Sequence, residues 1–154
     1  MKDNLILLVE DCAEDASLVL VAFKKWGITN PVQVIPDGEA ALDYLTGNGQ
    51  FADRDEFPLP CLAILDLNLP QMSGFDLLEW LSSRPEPELS DLPVVVLSGT
   101  REKADLDKAS RLGAIACVSK TLDLAALHEL IQYMDYFSHA TDMHASGVEW
   151  FPES

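Results

Sequence analysis

The stretch Cys61-Leu62-Ala63-Ile64-Leu65-Asp66-Leu67-Asn68-Leu69-Pro70 carries five apolar residues straight into a carboxylate. Such a run reads as a strand buried on both faces of a parallel sheet. Ligands of open parallel sheets sit outside the carboxyl ends of the strands. Asp66 therefore stands where chemistry is expected. Leu5-Ile6-Leu7-Leu8-Val9 ends the same way, in Glu10-Asp11. Two buried strands ending in carboxylates predict one site with three acidic groups. Two further strand-like runs end in a hydroxyl, Ser98, and a cation, Lys120. Taken singly, each residue has a plainer reading. Glu10-Asp11 would cap a helix, Ser98 would sit in a turn, and Lys120 would be a solvated charge. Their joint occurrence in order at successive strand ends favours a site.

The elements that must hold these residues alternate along the chain. Strand-like runs occur at Leu5–Val9, Val32–Ile35, Leu62–Leu65, Val94–Leu97 and Ile115–Val118. Helical spacing joins Val19, Ala22, Phe23 and Trp26, with Gly27 as the stop. Further helices are expected over Glu39–Thr46, Phe75–Ser83 and Lys103–Leu112, and a fifth from Asp123 through Met134. Five β-α units in alternation predict an α/β fold, a doubly wound five-stranded parallel sheet with helices on both faces. Adjacent first and third strands would bring Glu10, Asp11 and Asp66 together. Asn48–Pro60 reads as a long polar connection. Residues 1–140 are expected to form one domain, and 141–154 a C-terminal extension carrying Trp150 and Phe151.

Composition narrows the partners. The 154 residues are 48% hydrophobic and 23% charged, the balance of a globular domain. The formal net charge is −16. That disfavours nucleic acid, whose binding rests on phosphate neutralisation, and an anionic membrane surface. A cation or a basic protein partner fits better. No apolar run approaches the roughly 20 residues of a membrane span, and the N-terminus lacks a signal-peptide pattern. Cys12, Cys61 and Cys117 are odd in number and lack metal spacing, which predicts a reduced, cytoplasmic protein.

With these residues in order, the chain resembles a receiver domain of a two-component response regulator over about Leu5 to Met134. The local contexts agree: Val9-Glu10-Asp11, Leu65-Asp66 with Pro70 and Gly74 following, Leu97-Ser98-Gly99, and Ser119-Lys120. The resemblance implies a flavodoxin-like strand order 2-1-3-4-5. It implies that Asp66 is the nucleophile that takes a phosphoryl group from a phosphohistidine on a sensor histidine kinase. It also implies Mg²⁺ (or Mn²⁺) held by Asp11, Asp66 and the Asn68 backbone carbonyl, with Glu10 acting through a bound water. Ser98 would donate to a phosphoryl oxygen, and Lys120 would supply positive charge. Such a domain is a phosphoacceptor, not a turnover enzyme, and assists only its own phosphorylation and dephosphorylation. Its output runs through protein contacts with an effector or a histidine phosphotransfer protein.

Three departures mark this chain within that family. Thr121 follows Lys120 where most receivers have Pro, and a cis bond is far costlier without Pro. Cys117 stands where a reorienting aromatic usually lies, three positions before the Lys. The Asn48–Pro60 connection is longer than usual. Together with Asp66-Leu67-Asn68-Leu69-Pro70, these features resemble the small stand-alone regulators paired with bacterial phytochromes, which can carry C-terminal extensions and form homodimers.

Three other functions compete. A receiver-shaped module that only binds partners would not need the five-residue set intact. A phosphatase of the haloacid-dehalogenase type places its nucleophile after the first strand, often with a second Asp two residues on. Here the nucleophile follows the third strand, with Asn68 two residues on. A flavin-binding relative needs a Gly- or Ser-rich phosphate loop after the first strand, where this chain has Glu10-Asp11.

Overall fold

The computed structural model describes residues 5–25, 27–69, 71–98, 102–119 and 148–150, with 98, 119 and 148–150 described by backbone alone. The elements run β1 (Ile6–Val9), α1 (Ala13–Lys25), β2 (Val32–Ile35), α2 (Gly38–Thr46), β3 (Leu62–Asp66), α3 (Gly74–Ser82), α4 (Pro87–Ser90), β4 (Val94–Ser98), α5 (Lys103–Arg111), β5 (Ala116–Ser119) and β6 (Val148–Trp150). The first five strands form the expected parallel sheet in the order β2-β1-β3-β4-β5. The helix expected from Asp123 lies outside the described residues.

Alternation of apolar residues splits the core into two layers. Leu7, Val9, Leu65 and Val96 face α2 and α3, where Tyr44, Leu77 and Leu78 pack. Ile6, Leu8, Ile64 and Leu97 face α1, where Ala16, Val19 and Phe23 pack. The registers Val9↔Leu65 and Asp66↔Leu97 keep the strand ends level. Because the chain passes from β1 out to β2 and returns to β3 on the other side, a crevice opens between β1 and β3. That is the switch point where ligands of such sheets bind.

Local chemistry fixes the helix ends. Asp37 caps α2 by accepting the Ala40 N–H at 2.8 Å. Ser73 and Asp76 form a capping box on α3. Glu14 and Asp15 occupy the first turn of α1, Lys24 and Lys25 its last, which matches the helix dipole.

Several features exceed the expectation. β6 adds a sixth strand, antiparallel to β5, with Cys117 opposite Glu149. α4 begins on Pro87, a position that suits Pro because no helical N–H is lost there. Cys61, read as part of the buried run, is exposed. The strand begins one residue later, at Leu62, which is buried.

Asn48–Pro60 is more than a polar connection. Phe51 is buried, 5.0 Å from the Tyr44 ring and 5.2 Å from that of Phe57. Arg54 donates to the carbonyls of Tyr44 (2.7 Å), Leu45 (2.9 Å) and Phe57 (2.9 Å). It thereby neutralises the carbonyl end of α2, which lacks a basic residue of its own in its last turn. The Tyr44 hydroxyl donates to the Pro58 carbonyl at 2.8 Å. Burial pushes the Tyr44 phenol above its ordinary value, and the Arg54 charge opposes the shift only partly.

Two outcomes follow. Arg54→Leu should cost about 2–3 kcal/mol in urea unfolding, because three carbonyls lose a charged donor. Chymotrypsin should then cut the variant after Phe51 under native conditions. The raised Tyr44 value makes its contribution fully present below the ordinary phenol range near about 10. That contribution is lost as pH rises through the folded value. Tyr44→Phe should remove this part of the alkaline loss, measured by unfolding at pH steps across that range.

Candidate metal and phosphoryl site

The crevice between β1 and β3 is acidic. Glu10 follows β1 directly, and its N–H still donates to the Ile35 carbonyl at 2.9 Å. That bond keeps Glu10 in sheet geometry and buries it to 2% exposure. Asp66 is the last residue of β3 and is also 2% exposed. Asp11 lies one residue further out and is exposed. One carboxylate oxygen from each of Glu10, Asp11 and Asp66 lies within 4.8 Å of the others. The expected three-acid convergence is thus present.

Backbone bonds orient these groups. Asp66 Oδ1 accepts the Asn68 N–H at 3.0 Å, folding the chain just after the strand. Glu10 Oε1 accepts the Cys12 N–H at 3.2 Å. Leu67 N–H donates to the Leu97 carbonyl at 3.2 Å, which ties the turn after Asp66 to β4. Ser98 ends β4, one position beyond Leu97, the partner of Asp66. Ser98 pairs with Ser119, the last residue of β5. Lys120 follows in sequence and lies outside the described residues, as does Thr121.

Three carboxylates this close, two of them out of water, repel one another unless a cation joins them. Their hard oxygen donors suit a divalent ion of the Mg²⁺ or Mn²⁺ type. The residues present fit such an ion. A second grouping was not anticipated: Glu10, Cys12 and Asp15 also bring ligand atoms within 4.8 Å of one another. No spacing rule signals it, because the strand-to-helix turn after Glu10 folds Asp15 back toward the strand end.

Comparison with known proteins settles the family. The model for the response regulator receiver domain matches residues 6–132. The chain belongs to the response regulator receiver family. It is 32% identical over 134 residues to response regulator Rcp1 of Synechocystis sp., covering 87% of this chain and 88% of Rcp1. The bacteriophytochrome response regulator RtBRR superimposes with a TM-score of 0.76 at 34% identity, over 94% of this chain and 86% of that one. A structure of phosphorylated RcpA, a cyanobacterial phytochrome response regulator, gives a TM-score of 0.73 at 30% identity, over 90% and 97%. The Mn²⁺-bound form of Rcp1 gives 0.71 at 29% identity, over 92% and 99%. These relatives match the phytochrome-associated subgroup. The family is one of signalling receivers rather than of turnover enzymes. No helix among the described residues is long and apolar enough to cross a membrane.

Asp11→Asn tests the electrostatics of the crevice. Removing one of three converging charges should raise stability in EDTA by about 1 kcal/mol. The same change should remove most of the stabilisation by added Mn²⁺, about 2.7 kcal/mol for the parent at a hundredfold excess over Kd. Thermal unfolding with and without the ion measures both.

Proposed function

We propose that Asp66 accepts a phosphoryl group from a sensor histidine kinase. The observation that carries this reading is Asp66, buried at the end of β3 within reach of the Glu10 and Asp11 carboxylates. In the transfer, an Asp66 carboxylate oxygen forms a bond to phosphorus. The phosphorus–nitrogen bond to the donor imidazole breaks, and the nitrogen keeps the electron pair. The product is an acyl phosphate. Negative nucleophile and negative phosphoryl group repel; Asp11, Asp66 and the Asn68 carbonyl would hold a Mg²⁺ ion, with Glu10 acting through water, and such an ion would supply the neutralising charge. Ser98 donates its hydroxyl to a phosphoryl oxygen. Lys120 offers its ammonium to Asp66 first and to the phosphate afterwards. Positioning and charge neutralisation dominate this chemistry, so the set is sufficient.

The donor must bring its phosphohistidine to the crevice, so its docking surface borders the site. α1 starts beside Asp11 and exposes Leu18 (58%) and Val21 (65%), two of the four large exposed hydrophobics among the described residues. This face suits the kinase helices. The likeness to Rcp1, RtBRR and RcpA favours a bacterial phytochrome as the kinase. We assign a receiver domain to residues 1–140 and an extension to 141–154. The protein works in the cytoplasm, without nucleic acid or membrane, through contacts with an effector, a phosphotransfer protein or a second copy in a homodimer.

Asp66→Asn should abolish labelling by acetyl phosphate and by a phosphorylated kinase, both in Mg²⁺. Labelling at the parent rate would overturn the assignment and leave a module that only binds. Val21→Asp should slow transfer from the kinase roughly tenfold, the worth of one lost apolar anchor. Its labelling by acetyl phosphate should not change.

A further inference from the structure

The segment between β3 and α3 is held from two sides by glycines. Gly74 opens α3 and Gly38 opens α2. Neither has a left-handed φ, so local conformation does not require glycine at either place. A helix start ordinarily favours other residues over glycine. Space supplies the reason. A Cβ on Gly74 would stand 2.6 Å from the Asp66 carbonyl oxygen and 2.9 Å from Leu67 Cα. Both are backbone atoms that cannot swing aside. A Cβ on Gly38 would stand 2.8 Å from Met72 Sδ and 2.9 Å from Met72 Cβ. α2 is therefore pressed onto the far end of the same segment.

The residues after Asp66 return to α3 through a closed turn. Gly74 N–H donates to the Leu67 carbonyl at 3.1 Å, while Leu67 N–H donates to β4. The Leu67 residue is thus bridged from the sheet to α3. Gln71 takes φ +65, a left-handed conformation that a residue with a side chain rarely adopts. Asn68, inside this span, bonds Asp66 Oδ1 through its N–H.

We infer that Gly74 and Gly38 are positioning residues that set where Leu67, Asn68 and Met72 lie relative to Asp66. The two close contacts fix the height of these residues, and the height fixes both the Asn68 N–H on Asp66 and the Asn68 carbonyl. Neither glycine touches the reacting atoms. This inference rests on the phosphoacceptor reading for its functional consequence, not for its structural one.

The test compares Gly74→Ala and Gly38→Ala with Gly47→Ala. Gly47 closes the opposite end of α2 with φ +72, and the atoms nearest a Cβ there belong to the flexible Arg54 side chain. All three should lower the unfolding midpoint. Only Gly74→Ala and Gly38→Ala should weaken Mn²⁺ binding and slow labelling by acetyl phosphate, by roughly tenfold or more for Gly74→Ala, the range seen when supporting contacts of a metal site are lost. Amide exchange at Asn68 should also quicken roughly tenfold in these two relative to the core amides of Ile64 and Leu65 in β3, and not in Gly47→Ala. Met72→Ala should partly restore Asn68 protection to Gly38→Ala, and that pair decides the matter if Gly74→Ala does not fold. Unchanged Asn68 exchange in both variants would overturn the inference. If the parent binds no Mn²⁺ and takes no phosphate, the phosphoacceptor reading fails while the exchange data still judge the positioning.

Discussion

Glu10 and Asp66 are two carboxylates held side by side almost out of water. Each accepts one backbone N–H from two residues further on, Cys12 for Glu10 and Asn68 for Asp66. Burying like charges together costs stability, and the sheet must supply it. It does so through a few backbone constraints. Val9 pairs with Leu65, Glu10 N–H reaches Ile35, and Leu67 N–H reaches Leu97. β1 and β3 are covered on both faces by apolar layers, so neither strand end can retreat into solvent without breaking core packing. The site is therefore a consequence of the strand order. Only where the chain reverses direction across the sheet do two strand ends stand adjacent with an open crevice above them.

This arrangement explains which parts of the molecule were legible in the sequence. Leu62–Leu65 and Leu5–Val9 are continuous apolar runs, and their terminal acids could be read directly as strand ends. The three-acid convergence followed from those two runs and the strand order alone. The Asn48–Pro60 segment could not be read in this way. Its ordering comes from Phe51, Phe57 and Arg54 meeting Tyr44 across a turn, and such contacts leave no periodic trace. Arg54 leaves no sequence signal because its partners are backbone carbonyls, which every residue has. β6 is equally silent, since three residues carry too little alternation to mark a strand. Gly38 carries no signal in the sequence, and Gly74 enters only as part of the pattern after Asp66. Their role depends on Met72 and on the Asp66 carbonyl, whose approach only the folded structure shows.

The α1 face and the aromatic segment lie on opposite sides of this framework. α1 rises from the acidic crevice and exposes apolar residues beside it. The aromatic segment seals the far end of α2, where its acidic residues Asp55 and Glu56 face solvent. The protein can thus vary the second surface without disturbing the first, because they share no side chain. A net charge of −16 on the whole chain makes this division useful. Long-range attraction of a basic partner does not depend on which face it will finally occupy, while contact with apolar α1 does.

Cys117 constrains how any change at Asp66 can reach the β5 side of the sheet. It is fully buried in the layer that packs α2, α3 and α5. A thiol of this size has no ring to swing between buried and exposed positions, so a large side-chain rotation is unavailable at that position. The backbone of β5 is tied on one edge to β4 through Ser98↔Ser119 and on the other to β6 through Cys117↔Glu149. A surface on that edge of the sheet is therefore built from β6 rather than from the free edge of β5. Any displacement of β5 has to be shared with the strand beside it, because ladder hydrogen bonds on both sides leave it no independent movement.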